Sequence, residues 1–182
     1  MKIVITGRPG VGKSTLFEKL ISELRESNLL VGGIKAPEVR EHGVRIGFKV
    51  IDLLSGEEAW LAKKNISGSV RIGSYTVLVE EASRIIETAL RRALGEASVI
   101  GIDEVGPMEL KIPVFKPLLL EILDSGKPVI LVVHYRLTDR DILGRLSDAE
   151  KIVLTMENRE HVKSSTRWLI NKVIEALASP RS

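Results

Sequence analysis

The amino-terminal part of the chain carries an eight-residue pattern, Gly7 to Ser14, with the sequence Gly-Arg-Pro-Gly-Val-Gly-Lys-Ser. It matches G-x-x-x-x-G-K-[ST], the P-loop, a glycine-rich turn that cradles phosphate groups. Residues 3–5 before it are a β-branched apolar run, typical of a buried parallel strand. After it, apolar residues recur at helical spacing at Leu16, Phe17, Leu20, Ile21 and Leu24. A strand, a glycine turn and a helix in this order predict a nucleotide-binding site.

The roles inside this motif follow from its residue types. We expect the nucleotide to contact Gly7, Arg8, Pro9, Gly10, Val11, Gly12, Lys13, Ser14 and Thr15. Lys13 would bring its ammonium group to the β- and γ-phosphates, and the Ser14 hydroxyl is a hard oxygen ligand suited to Mg²⁺. A lysine in the first turn opposes the helix dipole, so Lys13 is favourable there only if a larger negative charge binds.

A second apolar run, Val99-Ile100-Gly101-Ile102, ends at Asp103-Glu104. An apolar strand that ends in aspartate is the Walker B pattern, whose carboxylate holds Mg²⁺ or its waters beside the P-loop serine. We therefore predict Asp103 as the second metal-site residue. Two adjacent carboxylates do not easily ligate one metal ion, so Glu104 is free to accept a proton from water that attacks the γ-phosphate. The chain contains no glutamine to orient that water, as Ras-like proteins do.

Other polar residues follow the next apolar strand. His134 ends that strand, where a polar group can sense the γ-phosphate, although a histidine hydrogen-bonded in a loop is almost as good an interpretation. An arginine finger, supplied in cis or by a neighbouring subunit, would stabilise charge on the transferred phosphoryl group. The candidates for this role are Arg136, Arg140, Arg145 and Arg159.

Strands and helices alternate along the chain, which predicts a three-layer α/β fold with a mainly parallel sheet. The predicted strands cover residues 2–6, 29–36, 99–102, 128–133 and 152–154. The predicted helices cover residues 13–27, 79–94, 118–123, 138–146 and 169–177, with Gly95 ending the second. Residues 38–63 alternate between apolar and polar, with turns at His42-Gly43 and Ser55-Gly56, which predicts an antiparallel β-hairpin insertion. Residues 65–75 are predicted as a loop.

Composition limits the class of protein. A chain of 182 residues with 44% hydrophobic and 28% charged residues is typical of one globular domain, here residues 1–182. There is no cysteine, which excludes disulfides and Cys-ligated zinc. The longest apolar run, residues 129–133, is too short to span a bilayer, and no signal sequence precedes the P-loop, so we expect a cytosolic protein without a membrane partner. Sparse amide side chains beside abundant charged ones suggest a hot-growing source.

The net charge of +3 is dispersed, and aromatic residues are only 4% of the chain. No basic block with interleaved aromatic residues is present, so we expect no nucleic-acid partner. The expected partners are nucleoside triphosphates and Mg²⁺. We expect a monomer, with self-association left open.

Four motifs in this order and spacing resemble the small P-loop nucleoside-triphosphatase family of thermophilic archaea and bacteria, which is related to the human cancer-related nucleoside-triphosphatase. They are Gly7 to Thr15, Glu38-Val39-Arg40 with Arg45-Ile46-Gly47-Phe48, Asp103-Glu104-Val105-Gly106-Pro107-Met108-Glu109-Leu110, and Glu157-Asn158-Arg159. The resemblance implies a RecA-like domain with an added strand and a catalytic glutamate. It implies slow, Mg²⁺-dependent hydrolysis of ATP, GTP, CTP and UTP.

Carried onto this chain, the resemblance places nucleotide contacts at Gly7 to Ser14 and along Val99, Ile100, Gly101, Ile102, Asp103, Glu104, Val105 and Gly106. It assigns no role to Arg40, Arg45 or Glu109. Two other functions stay open on the residues alone. One is a small-molecule or nucleotide kinase, for which residues 56–75 would supply a lid. The other is a nucleotide-dependent switch, although the guanine-reading Asn-Lys-x-Asp motif is absent.

Overall fold

The fold, described for residues 1–178 by a computed structural model, is built on a ten-stranded sheet. The strands are β1 (Lys2–Thr6), β2 (Val31–Lys35), β3 (Glu38–Glu41), β4 (Val44–Asp52), β5 (Glu58–Lys64), β6 (Arg71–Ile72), β7 (Tyr75–Val77), β8 (Val99–Val105), β9 (Val129–Val133) and β10 (Glu150–Val153). The helices are α1 (Lys13–Glu26), α2 (Val79–Glu96), α3 (Phe115–Asp124), α4 (Arg140–Arg145), α5 (Arg159–Ser164) and α6 (Arg167–Ala178), with a 3-10 turn at Glu109–Lys111.

The sheet has a parallel half and an antiparallel half. Strands β10, β1, β9, β8 and β2 lie side by side in that order and are parallel. Strand β4 pairs with β2 in the antiparallel sense, and β5, β7 and β6 continue from it, with β3 on β4. This confirms the mainly parallel α/β sheet and its antiparallel extension. Because β9 lies between β1 and β8, the carboxyl ends of these three strands meet at one edge of the sheet, where ligands bind in such folds.

Each face of the sheet is covered by its own hydrophobic core. Ile3 and Ile5 of β1 belong to the core that contains α1 and α6, whereas Val4 between them belongs to the core that contains α2 and α3. This alternation is what a strand covered on both faces requires. Helix α1 buries the apolar positions predicted for it, listed here as Leu16, Phe17, Leu20, Ile21 and Leu24. The layers are therefore helix, sheet and helix.

Two glycines let α1 and the central strands approach closely. A Cβ atom on Gly101 of β8 would lie 2.9 Å from both the Phe17 Cζ and Ile21 Cδ1 atoms of α1. A Cβ atom on Gly33 of β2 would lie 2.0 Å from the Gly101 carbonyl oxygen, and Gly33 has a φ of +118°. Only glycine fits such positions. The close contact sets the height of α1, and of the P-loop before it, above the sheet.

The structure corrects several predicted boundaries. The prediction that Gly95 ends its helix was wrong, since α2 continues to Glu96. Nothing lies within 4 Å of a Cβ atom at Gly95, so Gly95 is an exposed position of the helix. The loop prediction for residues 65–75 was wrong at Arg71–Ile72 and Tyr75, which pair across a turn at Gly73. The last strand begins at Glu150 and ends at Val153, before the predicted Leu154.

The structure also contains a helix that was not predicted. Helix α5 buries none of its six residues, so it lacks the apolar periodicity that predicts a helix. Residues 179–182 of the predicted domain lie outside the described part of the chain. Among residues 1–178, no helix is both long and apolar enough to cross a membrane.

Candidate functional site

The P-loop connects the end of β1 to the first turn of α1. Gly10 and Gly12 have φ angles of +76° and +101°, which L-residues with a side chain rarely adopt. Gly12 is the N-cap of α1, and no side chain caps the helix there. A Cβ atom at Gly7 would lie 2.3 Å from the Leu154 carbonyl oxygen, so this turn packs against the segment after β10. The N–H groups at the start of α1 are therefore free of a side-chain cap and available to an anion.

Lys13 folds back over this loop. Its side chain is buried, and its Nζ donates a hydrogen bond to the Arg8 carbonyl oxygen at 3.3 Å. The positive charge of Lys13 opposes the rise that burial causes in the pKa of Asp103 and Glu104, and it adds to the fall that burial causes in the pKa of His134. The ammonium group therefore lies near all three side chains. The first turn of α1 contains no acidic residue. Lys13 thus supplies a buried positive charge where the strand ends meet.

Asp103 lies in β8 and faces the first turn of α1. Its carboxylate accepts a hydrogen bond from the Ser14 hydroxyl. The pKa of Asp103 is raised to about 6, chiefly by burial and also by the Glu104 charge, while the Ser14 hydrogen bond and the Lys13 charge oppose the change. In register, Asp103 lies beside Lys35 of β2. Ser14 and Asp103, the two predicted metal-site residues, are therefore brought together and offer two hard oxygen donors.

Glu104 and Glu109 point towards the same place. A Cβ atom at Gly106 would lie 3.0 Å from Glu109 Oε2 and 3.2 Å from Glu104 Oε1. Burial raises the pKa of Glu104, and Lys13 opposes that shift. Burial also raises the pKa of Glu109 to about 8, with the charges of Glu104 and Asp103 acting in the same direction. Because Glu109 is only 5% exposed, its carboxyl group is protonated at neutral pH.

Glu109 is a site residue to which the sequence motifs assign no role. It sits in the 3-10 turn after β8, where the Leu110 N–H donates to the Gly106 carbonyl oxygen at 3.1 Å. Backbone N–H groups of Gly106 and Glu109 itself bond the Glu109 carboxyl group. No local signal in the sequence indicates that Glu109 is buried, because glutamate is rarely buried and Glu109 alternates with apolar residues just as the exposed Lys111 does.

His134 follows β9 and lies beside the end of β8. The backbone N–H of His134 donates to the Val105 carbonyl oxygen at 3.1 Å, and the imidazole Nδ1 accepts from the backbone N–H of Arg136 at 3.3 Å. Burial, then the charges of Lys13 and Arg136, lower the pKa of His134 below its ordinary value. A neutral imidazole is therefore present at the site at pH 7.

The candidate arginines are dispersed. The single Nε–H of Arg145 is shared between the two carboxylate oxygens of Asp124, at 2.9 and 2.8 Å, at the end of α3. Arg136 lies over the Tyr135 ring at 5.0 Å, and Arg159 contacts Met156 Sδ at 3.6 Å. Arg140 begins α4. The structure singles out none of them as the finger, and that role stays a prediction.

Arg40 and Arg45 belong to the β3–β4 hairpin and share one partner. Both form ion pairs with Glu38. They lower the pKa of Glu38, and the hydrogen bond from Arg40 is the largest cause. Arg40 also donates to the Gly43 carbonyl oxygen at 2.8 Å, and Arg45 lies over the Phe48 ring at 5.4 Å. These contacts hold the hairpin together.

The remaining predicted contact residues lie deeper. Val99, Ile100, Gly101 and Ile102 are buried in β8 and carry Asp103 to the edge of the sheet. Val105 ends β8 and Gly106 follows it, and both are buried. Thr15 is exposed in the first turn of α1.

A cavity of about 700 Å³ adjoins the P-loop on the side of β10. Its lining residues are Thr6, Gly7, Arg8, Pro9, Gly10, Val11, Tyr135, Val153, Leu154, Thr155, Met156 and Glu157. Tyr135 and Met156 are 42% and 60% exposed, which is high for such large side chains. The cavity therefore offers two flat or flexible apolar surfaces next to the phosphate-binding turn.

Comparison with known proteins agrees with this geometry. The model of the NTPase family matches residues 2–166. The nucleoside-triphosphatase THEP1 of Saccharolobus solfataricus is 45% identical over 177 residues, which cover 97% of this chain and 95% of that protein. The protein of the same name from Thermofilum pendens is 45% identical over 161 residues, covering 86% of this chain and 88% of its own.

Two solved structures share the fold. The crystal structure of THEP1 from the hyperthermophile Aquifex aeolicus superposes with a TM-score of 0.81 at 32% identity and covers 93% of this chain and 99% of its own. The solution structure of a human cancer-related nucleoside triphosphatase gives a TM-score of 0.75 at 28% identity, covering 100% of this chain and 99% of its own. With a P-loop fold, a matching family model over most of its length and these relatives, the chain belongs to the NTPase family.

Proposed function

We propose that the chain hydrolyses nucleoside triphosphates to the diphosphate and phosphate in a reaction that depends on Mg²⁺. The observation that carries this proposal is the meeting of Lys13, Ser14, Asp103 and Glu104 at one edge of the sheet. The hydrogen bond from Ser14 to Asp103 supports it most directly, since it joins the P-loop to the acidic strand end. The names of the relatives, nucleoside-triphosphatase THEP1, support the same reaction.

Ser14 and Asp103 are the residues that would hold Mg²⁺. Both offer hard oxygen atoms, and such sites typically combine one or two protein ligands with phosphate oxygens and water. Bound Mg²⁺ would neutralise charge on the phosphate oxygens. Asp103, with a pKa of about 6, is mostly ionised at neutral pH, as a metal ligand must be.

Glu104 would act as the general base. Its carboxylate accepts a proton from water as the water oxygen bonds to the γ-phosphorus, and the bond from that phosphorus to the bridging oxygen breaks. The diphosphate leaves with the bridging oxygen, and Glu104 then returns the proton to solvent. A raised pKa makes Glu104 a better proton acceptor than a solvated glutamate. Lys13 would stabilise negative charge on the phosphate chain.

The cavity beside the P-loop would hold the nucleobase and ribose. Stacking on Tyr135 and Met156 favours any base, because each base presents an apolar π-face. We therefore propose broad base specificity, with ATP, GTP, CTP and UTP all accepted. All the residues in this proposal come from one chain, so we propose that a monomer is active.

The test is phosphate release from purified protein with Mg²⁺ and each of the four triphosphates, with and without nucleosides or nucleoside monophosphates as acceptors. Hydrolysis without an acceptor, at comparable rates for the four bases, is expected. Turnover that requires an acceptor would replace the hydrolase with the kinase. The segment 56–75, considered as a kinase lid, is paired into the sheet through β5, β6 and β7 and so gives the kinase no added support.

A further inference from the structure

A second lysine lies against the P-loop. The side chain of Lys163 in α5 approaches Gly12, and a Cβ atom at Gly12 would lie 3.7 Å from its Nζ and 3.8 Å from its Cε. Gly12 is the N-cap of α1 and immediately precedes Lys13. Lys163 lies 151 residues after Gly12 in the chain, so no local motif connects them. Two ammonium groups thus flank the same helix N-terminus, Lys13 from within the loop and Lys163 from outside it.

The backbone around Lys163 is fixed from both sides. The Lys19 ammonium group of α1 donates to the Lys163 carbonyl oxygen. The Thr166 hydroxyl donates to Glu23 Oε1 of α1 at 2.9 Å, just after α5 ends. Before α5, the Asn158 side chain accepts from the Thr155 N–H at 2.8 Å and donates to the Val153 carbonyl oxygen at 2.9 Å. These contacts tie α5 to α1 and β10, which holds Lys163 beside Gly12.

The charges around Lys163 favour an anion. Its ion pair in the structure is with Glu160 at 3.5 Å, and the Glu160 side chain is 74% exposed, so the pair is loose and solvated. No acidic residue lies in the first turn of α1 to balance Lys13 and Lys163. A positive charge held at a helix N-terminus is unfavourable unless a negative group binds there. A phosphate chain on the P-loop would supply that group.

We propose that Lys163 is a second phosphate-binding lysine, which contacts the α- and β-phosphates of a nucleotide bound on the P-loop. P-loop backbone groups cradle these two phosphates, and Lys163 lies beside Gly12 of that backbone, whereas Lys13 reaches the β- and γ-phosphates. The inference rests on the proposed function only in that the ligand is a nucleotide. Because diphosphates and triphosphates share the α- and β-phosphates, Lys163 contributes equally to both and is a binding residue.

The test uses Lys163→Met, which keeps the length of the side chain without its charge, and Lys163→Arg, which restores the charge. Lys151→Met on β10 is the matched control, since Lys151 is an exposed lysine. Calorimetric titration with ADP and Mg²⁺ measures binding without any need for hydrolysis. Steady-state phosphate release then gives KM and kcat for ATP and CTP. Thermal unfolding without nucleotide confirms that each variant is folded.

We expect Lys163→Met to weaken ADP affinity by about 10–100-fold, the loss typical of one charge-assisted contact. KM for ATP and CTP should rise by a similar factor with kcat within twofold of wild type, and Lys163→Arg should recover most of the affinity. ADP affinity unchanged in Lys163→Met overturns the assignment. A fall in kcat at unchanged ADP affinity also overturns it, because Lys163 would then act on the γ-phosphate. If wild type binds ADP yet hydrolyses nothing, the hydrolase fails while the Lys163 test still stands.

Discussion

The Ser14 hydroxyl donates a hydrogen bond to the Asp103 carboxylate and so joins the first turn of α1 to the carboxyl end of β8. The two residues come from distant parts of the chain, and their contact depends on how closely α1 packs on the sheet. The close packing is set by Gly101, two residues before Asp103 and in contact with Phe17 and Ile21 of α1. The core of the protein thus fixes the geometry of the candidate metal site.

Removing the Ser14 hydroxyl should weaken the use of Mg²⁺. We expect Ser14→Ala to raise the Mg²⁺ concentration for half-maximal phosphate release on the order of 10–100-fold, as for other losses around metal sites. Ser14→Thr keeps a hydroxyl group and is the matched control. EDTA should stop turnover of the wild type, and added Mg²⁺ should restore it. An unchanged Mg²⁺ requirement in Ser14→Ala would remove Ser14 from the metal site.

Removing the Lys13 charge should affect nucleotide binding itself. Lys13 is buried, so Lys13→Met loses a desolvated charge contact, and we expect triphosphate affinity to fall on the order of 100-fold. Titration calorimetry with a non-hydrolysable triphosphate measures this loss, with Lys151→Met as the exposed-lysine control. Equal affinity in Lys13→Met and wild type would contradict a phosphate-binding role for the loop lysine.

The buried Glu109 carboxyl group should make stability depend on pH. Its folded pKa of about 8 lies above the ordinary value of 4.5, so the folded state binds the proton more tightly than the unfolded chain. The resulting stabilisation is fully present below pH 4.5 and is lost as pH rises through about 8, a change on the order of 3–5 kcal/mol. Glu109→Gln keeps a neutral side chain of the same shape and should lack this loss.

Urea unfolding at pH 5 and pH 8.5, in EDTA and without nucleotide, measures the effect. Wild type should lose more unfolding free energy between the two pH values than Glu109→Gln does. The raised pKa values of Asp103 and Glu104 act in the same direction in both proteins, so the difference between the two losses reports the ionisation of Glu109, including its repulsion from these two charges. Equal losses in the two proteins would show that Glu109 is not protonated in the fold.

Alanine substitutions at Gly101, which lies under α1, and at Gly95, which is exposed in α2, should change the free energy of unfolding in opposite directions. Gly101→Ala would place a methyl group 2.9 Å from Phe17 and Ile21, and we expect it to lower the unfolding free energy by about 1–3 kcal/mol through overpacking. Gly95→Ala in α2 meets nothing within 4 Å and should raise it by about 0.5–1 kcal/mol. Denaturant unfolding measures both. Similar effects at the two glycines would contradict the close approach of α1 to β8.

The sequence alone predicts those parts of the site that a local pattern encodes. The P-loop, the acidic end of β8 and the hairpin turns at His42-Gly43 and Gly56 each depend on residues close in the chain, and the structure has them in the predicted elements. Lys163 could not be found in this way, since α5 has no buried face and reaches Gly12 only through tertiary packing. The arginine finger is not predictable from a local pattern either, since its position depends on tertiary structure, and Arg145, which pairs with Asp124, stays one of four candidates.

The most direct test of the central claim separates binding from chemistry at Glu104. Glu104→Gln keeps the shape of the side chain but cannot accept a proton as a carboxylate does, and Glu121→Gln on the exposed side of α3 is the control. Single-turnover phosphate release from Mg²⁺–ATP should fall by about 10²–10⁴-fold in Glu104→Gln. ATP affinity measured in parallel should stay within about threefold of wild type, less than the loss of one hydrogen bond to a charged group. Phosphate release at the wild-type rate in Glu104→Gln would contradict the account.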